Sequence, residues 1–178
     1  MVYIFLAEGF EELEALSPID ILRRGGVEIK TVGVTGKTVT GSHGVPFVCD
    51  LEIKDACFEN LKGIILPGGM PGTLNLENSA DVLKFVDYAY ENNLYIAAIC
   101  AAPSILGHKN ILNGKKATCY TGFEKDLLGA TVLSQKVVKD GNIITAYGAG
   151  AAAEFSLTLL EVFKNTAVAN EIKAQMRY

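Results

Sequence analysis

The sequence contains no tryptophan, only two histidines, and no C-x-x-C pair among its four cysteines. The missing C-x-x-C spacing argues against a zinc clip and against a thioredoxin-type redox motif. Sixteen lysines and arginines stand against 20 aspartates and glutamates, which gives a formal net charge of −4, and the basic residues form no cluster. Because nucleic-acid binding depends on concentrated positive charge, we do not expect nucleic acid to be a main partner.

Long apolar stretches are absent as well. No run approaches the ~20 residues needed to cross a bilayer, and Met1–Ala7 lacks a basic leader and reaches Glu8 after too few apolar residues for a signal peptide. We therefore expect no membrane partner, a cytoplasmic location and free thiols in a reducing compartment. The length of 178 residues predicts a single domain spanning 1–178.

Short strand-like apolar runs alternate with helical patterns along the chain. The strand-like runs are Val2–Ala7, Val27–Val34, Gly63–Leu66, Leu94–Ile99 and Asn142–Tyr147. The helical patterns cover Phe10–Arg24, Ser79–Asn92, Ala101–Leu106, Ala151–Phe163 and a final surface helix in Thr166–Tyr178. This alternation predicts an α/β fold in which helices cover both faces of a mostly parallel sheet. Turn residues predict an irregular or hairpin segment at Gly36–Asp50 and a second hairpin at Thr131–Lys139, followed by Asp140-Gly141.

Cys100 ends one of the strand-like runs and stands directly before a predicted helix start. A turn of this kind is the nucleophile elbow, which exposes an attacking atom at the edge of a sheet. The small residues Ala101 and Ala102 let the backbone turn sharply, and a helix start points unpaired N–H groups at the sulfur. Most free cysteines are inert packing residues, but this position predicts a nucleophile with a lowered thiol pKa.

Three acidic residues, Glu11, Glu12 and Glu14, fall in the first turns of the first predicted helix. Carboxylates at such positions ordinarily interact with the helix dipole. This helix, however, begins at the same sheet edge as Cys100. Glu14 lies one turn from Phe10, a spacing that directs it inward more than Glu12. We therefore expect Glu14 to face the thiol, to have a raised pKa and to move protons.

The segment Pro67–Gly72 follows another strand and contains adjacent glycines, which let a backbone approach a ligand closely. No Lys-Ser or Lys-Thr follows it, so it is not a Walker-type phosphate loop. A plain tight turn explains the segment equally well. In the functional interpretation, the N–H groups of Gly69 and Ala101 form an oxyanion pocket for a carbon attacked by Cys100.

Two other patterns carry less weight. Tyr147–Ala153 contains G-x-G-x-x-A between a strand and a helix, but a dinucleotide site also needs a later strand with an acidic residue, and only helices follow. The two histidines do not complete a dyad: His108 would stand about 12 Å along the helix axis from Cys100, and His43 lies in a polar loop typical of the surface. Proton transfer therefore falls to a carboxylate.

Four segments taken together resemble the ThiJ/PfpI superfamily and, within it, the Parkinson-disease protein deglycase branch. They are Ala7–Glu14, Leu66–Gly69, Ala97–Pro103 and Asp140–Thr145. The resemblance runs nearly end to end. It implies a flavodoxin-like three-layer α/β sandwich, similar to class I glutamine amidotransferases, that works as a homodimer in the cytoplasm.

The resemblance also implies roles for individual residues. Cys100 matches the oxidisable nucleophile of the branch, and Glu14 matches the carboxyl group that hydrogen-bonds it. Gly69 and Ala101 match the residues whose backbone N–H groups form the oxyanion pocket. Cys49 is similar to a second cysteine near the dimer interface, with packing as its default role.

The sequence departs from the superfamily pattern at several positions. Ala101 stands where the proteases have a histidine, which argues against peptidase activity. Ala146–Gly148 offers neither the histidine nor the glutamate of the glutaminases. Tyr120 occupies a position near which the deglycase branch commonly has a histidine.

The activity implied by these residues is a glyoxalase or deglycase that needs no cofactor or metal. Its substrates would be methylglyoxal-type 2-oxoaldehydes, which are small reactive carbonyl compounds, or their adducts. The alternative is a redox-responsive stress or chaperone protein that senses oxidation at Cys100. Amidase or peptidase activity is a third and weaker possibility.

Overall fold

The computed structural model describes residues 1–178. The strands are β1 (Val2–Leu6), β2 (Ile29–Gly33), β3 (Thr38–Thr40), β4 (Pro46–Val48), β5 (Leu51–Glu52), β6 (Gly63–Leu66), β7 (Tyr95–Ile99), β8 (Lys116–Ala117), β9 (Thr131–Val132), β10 (Val137–Asp140) and β11 (Ile143–Ala146). The helices are α1 (Glu12–Arg24), α2 (Gly72–Glu77), α3 (Ala80–Glu91), α4 (Pro103–His108), α5 (Ala152–Phe163) and α6 (Thr166–Gln175).

Seven strands form the central sheet in the order β10-β11-β7-β6-β1-β2-β5. Every neighbouring pair is parallel except β10 and β11. The predicted fold class, an α/β fold with a mostly parallel sheet, is therefore confirmed. None of the helices combines the length and the apolar character needed to span a membrane.

The core consists of two apolar layers, one on each face of the sheet. Successive residues of β1 point to opposite faces, so that Ile4 joins one layer and Phe5 the other. The first layer packs against α1, α5 and α6, and the second against α2, α3 and α4. Because the central strands are covered on both faces, they are apolar at nearly every position, which explains the short apolar runs in the sequence.

Most predicted elements are confirmed, with their ends moved by a few residues. The hairpin expected within Gly36–Asp50 is formed by β3 and β4. The second hairpin is shorter than predicted, because only β10 pairs antiparallel with β11, whereas Thr131–Val132 pairs in parallel with β8. The helix expected from Ala101 begins at Pro103, which leaves Ala101 and Ala102 in a turn.

Three loops meet at the carboxyl edge of the sheet, as expected for an open parallel sheet. The loop after β1 is joined to the loop after β6 by the Glu11 N–H, which donates to the Gly68 carbonyl at 2.9 Å, and by the Gly72 N–H, which donates to the Gly9 carbonyl at 3.2 Å. The β3–β4 hairpin joins them through the Thr40 carbonyl, which accepts from the Gly9 N–H at 2.8 Å. The turn after β7 completes this edge.

Candidate active site

Cys100 occupies the turn between β7 and α4 with φ of +64°. This left-handed conformation costs a non-glycine residue roughly 1–2 kcal/mol, and such strain persists only where the surrounding structure enforces it. Two hydrogen bonds do so: the Cys100 N–H donates to the Ala146 carbonyl, and its carbonyl accepts from the Tyr120 N–H, both at 2.8 Å. The sulfur is thus held at the sheet edge on a strained elbow, as the sequence predicts.

Glu14 lies beside this sulfur. It is only 1% exposed, and its carboxyl group lies close enough to the Cys100 thiol for each group to shift the pKa of the other. Its Oε2 accepts from the Gly68 N–H at 2.9 Å, and the nearby Ala149 N–H acts to lower its pKa. Helix α1 fixes this position because the Glu11 side chain caps the helix by accepting from the Glu14 N–H at 2.8 Å.

The glycines of the loop after β6 are required by the close packing of the site. A Cβ on Gly68 would lie 2.6 Å from both the Cys100 Cβ and Glu14 Oε2. Gly69 has φ of +92°, and a Cβ there would lie 2.4 Å from the Glu11 nitrogen. The two glycines therefore let the loop reach the cysteine and the acid, which favours the functional interpretation over a plain turn.

Two backbone N–H groups lie near the sulfur. Those of Gly69 and Ala101 are close enough to the Cys100 side chain to act to lower the pKa of its thiol. They come from different loops, one after β6 and one after β7, and converge because β6 and β7 are neighbours. The structure thus brings Cys100, Glu14, Gly69 and Ala101 together at one point. An oxygen on a carbon bonded to the sulfur would find two donors within reach.

The pKa of Glu14 is raised to about 7, mainly because burial disfavours the charged carboxylate, with a further contribution from Glu11. Burial and the neighbouring Glu14 carboxylate raise the pKa of Cys100 to about 12, while the N–H groups of Ala101 and Gly69 act in the opposite direction. The expected raised pKa of Glu14 is confirmed. The expected lowered pKa of Cys100 is wrong for a sulfur that faces an ionised carboxylate.

The pKa of Cys100 differs from the expected one because the cysteine and the acid titrate as a pair. The start of α4 lies beyond Ala102, so the helix does not offset the burial of the sulfur. Transfer of the thiol proton to Glu14 would create a thiolate without changing the total charge of the pair. The protonated carboxyl group can donate a hydrogen bond to the thiolate.

The DJ-1/PfpI family model matches residues 1–162 of this chain. The chain belongs to the DJ-1/PfpI family. The Parkinson disease protein 7 homolog of Danio rerio is 32% identical over 178 residues, covering 97% of this chain and 94% of that protein. Two Arabidopsis thaliana proteins, DJ-1 homologs B and A, are 39% and 37% identical over 90% and 97% of this chain, which spans only 37% and 45% of their length.

Solved structures of the family agree with this assignment. The oxidised form of Toxoplasma gondii DJ-1 is 35% identical, with a TM-score of 0.95 over 99% of this chain and 97% of that one. A DJ-1 superfamily protein of Salmonella typhimurium is 30% identical, with a TM-score of 0.94 over the same shares of the two chains. The resemblance inferred from the sequence and the flavodoxin-like fold of the DJ-1/PfpI family are confirmed.

The two histidines lie away from the cysteine. The His43 Nδ1 hydrogen-bonds the Glu12 carboxylate at 2.8 Å. His108, the last residue of α4, hydrogen-bonds Glu77. Neither hydrogen-bonds Cys100. Within this DJ-1/PfpI chain, the carboxyl group of Glu14, and not a histidine, is therefore the titratable group next to the thiol.

Glu12 is buried, which the sequence did not predict. Its Oε1 accepts from the His43 N–H at 2.7 Å, and the Ser42 hydroxyl donates to its Oε2 at 3.3 Å. Burial acts to raise its pKa, but the hydrogen bonds from His43 outweigh burial and lower it to about 2. Ligand atoms of Glu11, Glu12 and His43 lie within 4.8 Å of one another. Because both Glu12 oxygens already accept hydrogen bonds, we interpret the cluster as an anchor for the hairpin.

Tyr120 lines the same side of the site. Its side chain is 53% exposed. A Cβ added to Gly148 would lie 3.2 Å from the Tyr120 Cδ2 and 3.9 Å from the Glu14 Oε1. An aromatic ring thus covers the wall of the site where the deglycase branch of the family commonly has a histidine.

Cys49 is buried in the core, and burial raises the pKa of its thiol to about 11, with a contribution from Asp50.

Proposed function

We propose that this protein is a cofactor-free glyoxalase or deglycase that acts on methylglyoxal-type 2-oxoaldehydes or their adducts. The observation that carries the proposal is the close approach of the buried Glu14 carboxyl group to the Cys100 thiol, beside two convergent backbone N–H groups. A nucleophile, a proton-transfer group and an oxyanion pocket are the parts this chemistry needs.

In the first step, the Cys100 sulfur forms a bond to the aldehyde carbon, and its proton passes to Glu14. The aldehyde π bond breaks, and the N–H groups of Gly69 and Ala101 hold the resulting oxygen until it takes a proton to give the hemithioacetal. Because Glu14 accepts the thiol proton, the site needs no separate base to generate the thiolate.

The second step is an internal redox reaction. Glu14, again ionised, takes the hydrogen of the former aldehyde carbon as a proton, and the hydroxyl proton of that carbon passes to the neighbouring ketone oxygen, which gives an enediolate. Glu14 then returns its proton to the neighbouring carbon, and the C=O bond forms at the first carbon. The first carbon is oxidised to a thioester and the second is reduced to an alcohol, so no external electron acceptor takes part. Water then cleaves the thioester and releases lactate and the free thiol. A carboxyl pKa of about 7 suits a group that takes up and returns a proton near neutral pH.

The experiment is to incubate methylglyoxal with the wild type, Cys100→Ser and Glu14→Gln and to measure lactate. Cys57→Ser is the matched control, because Cys57 is an exposed thiol away from the site. We expect wild type and Cys57→Ser to form lactate at equal rates and the two site variants to lose at least about 100-fold. Lactate formation that survives either site substitution would remove this mechanism.

A second function is favoured by one observation, the oxidised form of the similar Toxoplasma gondii DJ-1. In this proposal Cys100 is a sensor: its thiolate attacks one peroxide, which releases water after protonation and leaves a sulfenic acid, and a second peroxide oxidises the sulfenic acid to a sulfinic acid and releases another water. A protonated Glu14 would donate a hydrogen bond to the sulfinate. Graded peroxide treatment followed by mass spectrometry should find oxidation first at Cys100. Even oxidation of all four cysteines would contradict the sensor role.

We also propose that the protein forms a homodimer, with an interface that includes the β3–β4 hairpin next to Cys49. Val48 of β4 is 67% exposed in the single chain. An exposed apolar side chain at this position favours burial against a second copy, because contiguous exposed apolar surface commonly marks interaction sites.

A further inference from the structure

A cleft of about 320 Å³ lies beside the active site without being part of it. Its lining includes Cys119 and Thr121, which flank Tyr120 in the sequence, and Tyr147, which precedes Gly148. The cleft and the Cys100 site therefore share two chain segments as a common wall. Neither proposed reaction uses the residues that line the cleft.

The uncharged polar side chains of this cleft have no hydrogen-bond partners within the protein. The hydroxyls of Thr118, Thr121, Ser134 and Tyr147 and the amide of Gln135 line it, and no hydrogen bond of the chain involves any of these groups. Exposed side chains often hydrogen-bond only water, but Thr118 is 3% exposed. The only polar side-chain atom sealed from solvent without a partner is Thr73 Oγ1, so the Thr118 hydroxyl opens onto the cleft that it lines.

The charge of the cleft is negative. Glu124 is the only charged residue that lines it. Its Oε2 accepts from the Gly122 N–H at 2.7 Å, which leaves Oε1 without a partner in the chain. Burial and the carboxylates of Glu124 and Asp126 raise the pKa of the Cys119 thiol to about 11, so this thiol stays neutral and adds no charge at neutral pH.

We propose that this cleft binds a small cation of the amine or guanidinium type. The free Glu124 oxygen would accept a charge-assisted hydrogen bond from the cation, which is stronger than a bond between neutral groups. The hydroxyls of Thr118 and Ser134 would accept its remaining N–H donors. The Tyr147 ring offers a flat face for the cation–π contact that guanidinium groups favour. The site is a binding site, and no covalent step is assigned to it.

The experiment uses methylguanidine as the probe and methylurea as its neutral isostere. Each is titrated into the full chain while backbone amide shifts are followed by NMR. We expect saturable shifts with methylguanidine at residues 118–121, 132–135 and 147, and binding of methylurea at least about tenfold weaker, the loss expected when an ionic hydrogen bond is replaced by a neutral one. Absence of saturable shifts at these residues, or equal binding of the two probes, would overturn the proposal.

Two variants assign the affinity to the cleft. Glu124→Gln removes the negative charge of the cleft. The control, Glu91→Gln, removes the charge of another exposed glutamate at the end of α3, which is far from the cleft in sequence and makes no side-chain hydrogen bond. We expect methylguanidine affinity to fall about tenfold in Glu124→Gln and to stay unchanged in Glu91→Gln. Equal losses in both variants would show nonspecific charge attraction and would overturn the site. Because no turnover is measured, failure here would leave the glyoxalase proposal intact.

A third variant, Thr118→Val, tests the buried hydroxyl with a side chain of similar shape. We expect weaker methylguanidine binding in a protein whose other amide shifts are unchanged. Wild-type affinity in Thr118→Val would contradict a role for this hydroxyl. If this variant fails to fold, Glu124→Gln decides the proposal, because Glu124 is exposed and its replacement leaves the core intact.

Discussion

The Glu14 carboxyl group and the Cys100 thiol form one closely interacting pair in which burial raises the pKa of both groups. Glu14 belongs to α1, and Cys100 follows the end of β7. The pair therefore joins two parts of the chain that are distant in sequence. Its chemistry depends on where a shared proton resides, because moving that proton from sulfur to carboxyl creates the nucleophile without adding a charge.

The first prediction concerns the pH dependence of alkylation. Iodoacetamide should modify Cys100 of the wild type with a rate that rises through a step at about pH 7, where the pair loses its first proton. In Glu14→Gln this step should disappear, because an amide cannot accept the thiol proton. Mass spectrometry of the Cys100 peptide measures the rate, with the exposed Cys57 of the same sample as reference. Identical pH profiles in the two proteins would refute the shared proton.

The second prediction concerns stability. The folded protein holds the Glu14 pKa at about 7, compared with 4.5 for the free side chain. Between these pH values the folded state binds more protons than the unfolded state, so the free energy of unfolding falls as pH rises and levels off above about pH 7. The total loss is about 3 kcal/mol.

Urea denaturation at a series of pH values measures this dependence. Glu14→Gln should remove the decline, and the matched control Glu91→Gln should retain it. A wild-type decline that persists unchanged in Glu14→Gln would assign the effect to other groups.

The third prediction concerns the loop after β6. Gly68→Ala should lower the free energy of unfolding by about 1–3 kcal/mol and abolish lactate formation, because the new Cβ would lie 2.6 Å from the Cys100 Cβ and from Glu14 Oε2. Gly150→Ala is the control, since a Cβ there meets its nearest atom, the Tyr147 hydroxyl oxygen, at 3.6 Å. A fully active and stable Gly68→Ala protein would show that the loop is not packed against the pair.

The fourth prediction concerns assembly. If β4 lies in the dimer interface, Val48→Asp should convert the dimer to a monomer in sedimentation analysis, because it would bury an unpaired charge. Leu128→Asp, at another exposed apolar position, should leave the oligomeric state unchanged. A wild type that sediments as a monomer, or a Val48→Asp variant that remains dimeric, would contradict the proposed interface.

The sheet was predictable because its central strands are buried on both faces and so appear as short apolar runs between helical patterns. The pairing of Thr131–Val132 with Lys116–Ala117 was not predictable, because strands of two residues are too short to show an apolar period in the sequence. Helix α2, with six residues, is likewise too short to show a period.

The candidate site was predictable where it depends on sheet topology. Parallel strands place their following loops at one edge, and this brings Glu14, Gly69 and Cys100 together. The pKa of the sulfur was not predictable, because it depends on the burial of the pair. The burial of Glu12 was also missed, since its partners Ser42 and His43 come from a hairpin whose docking has no local signal.

The main-chain hydrogen bonds that join the edge loops restrict the movement of the site. The N–H groups of Glu11 and Gly72 each donate to a carbonyl of another loop, and that of Gly9 donates to Thr40 at the end of β3, so opening any one of these loops breaks hydrogen bonds to a neighbouring segment. Their amides should exchange with deuterium as slowly as those of the sheet, although they belong to no strand. A substrate would therefore meet a surface already in its reacting shape, and the energy of binding would not be spent on ordering it.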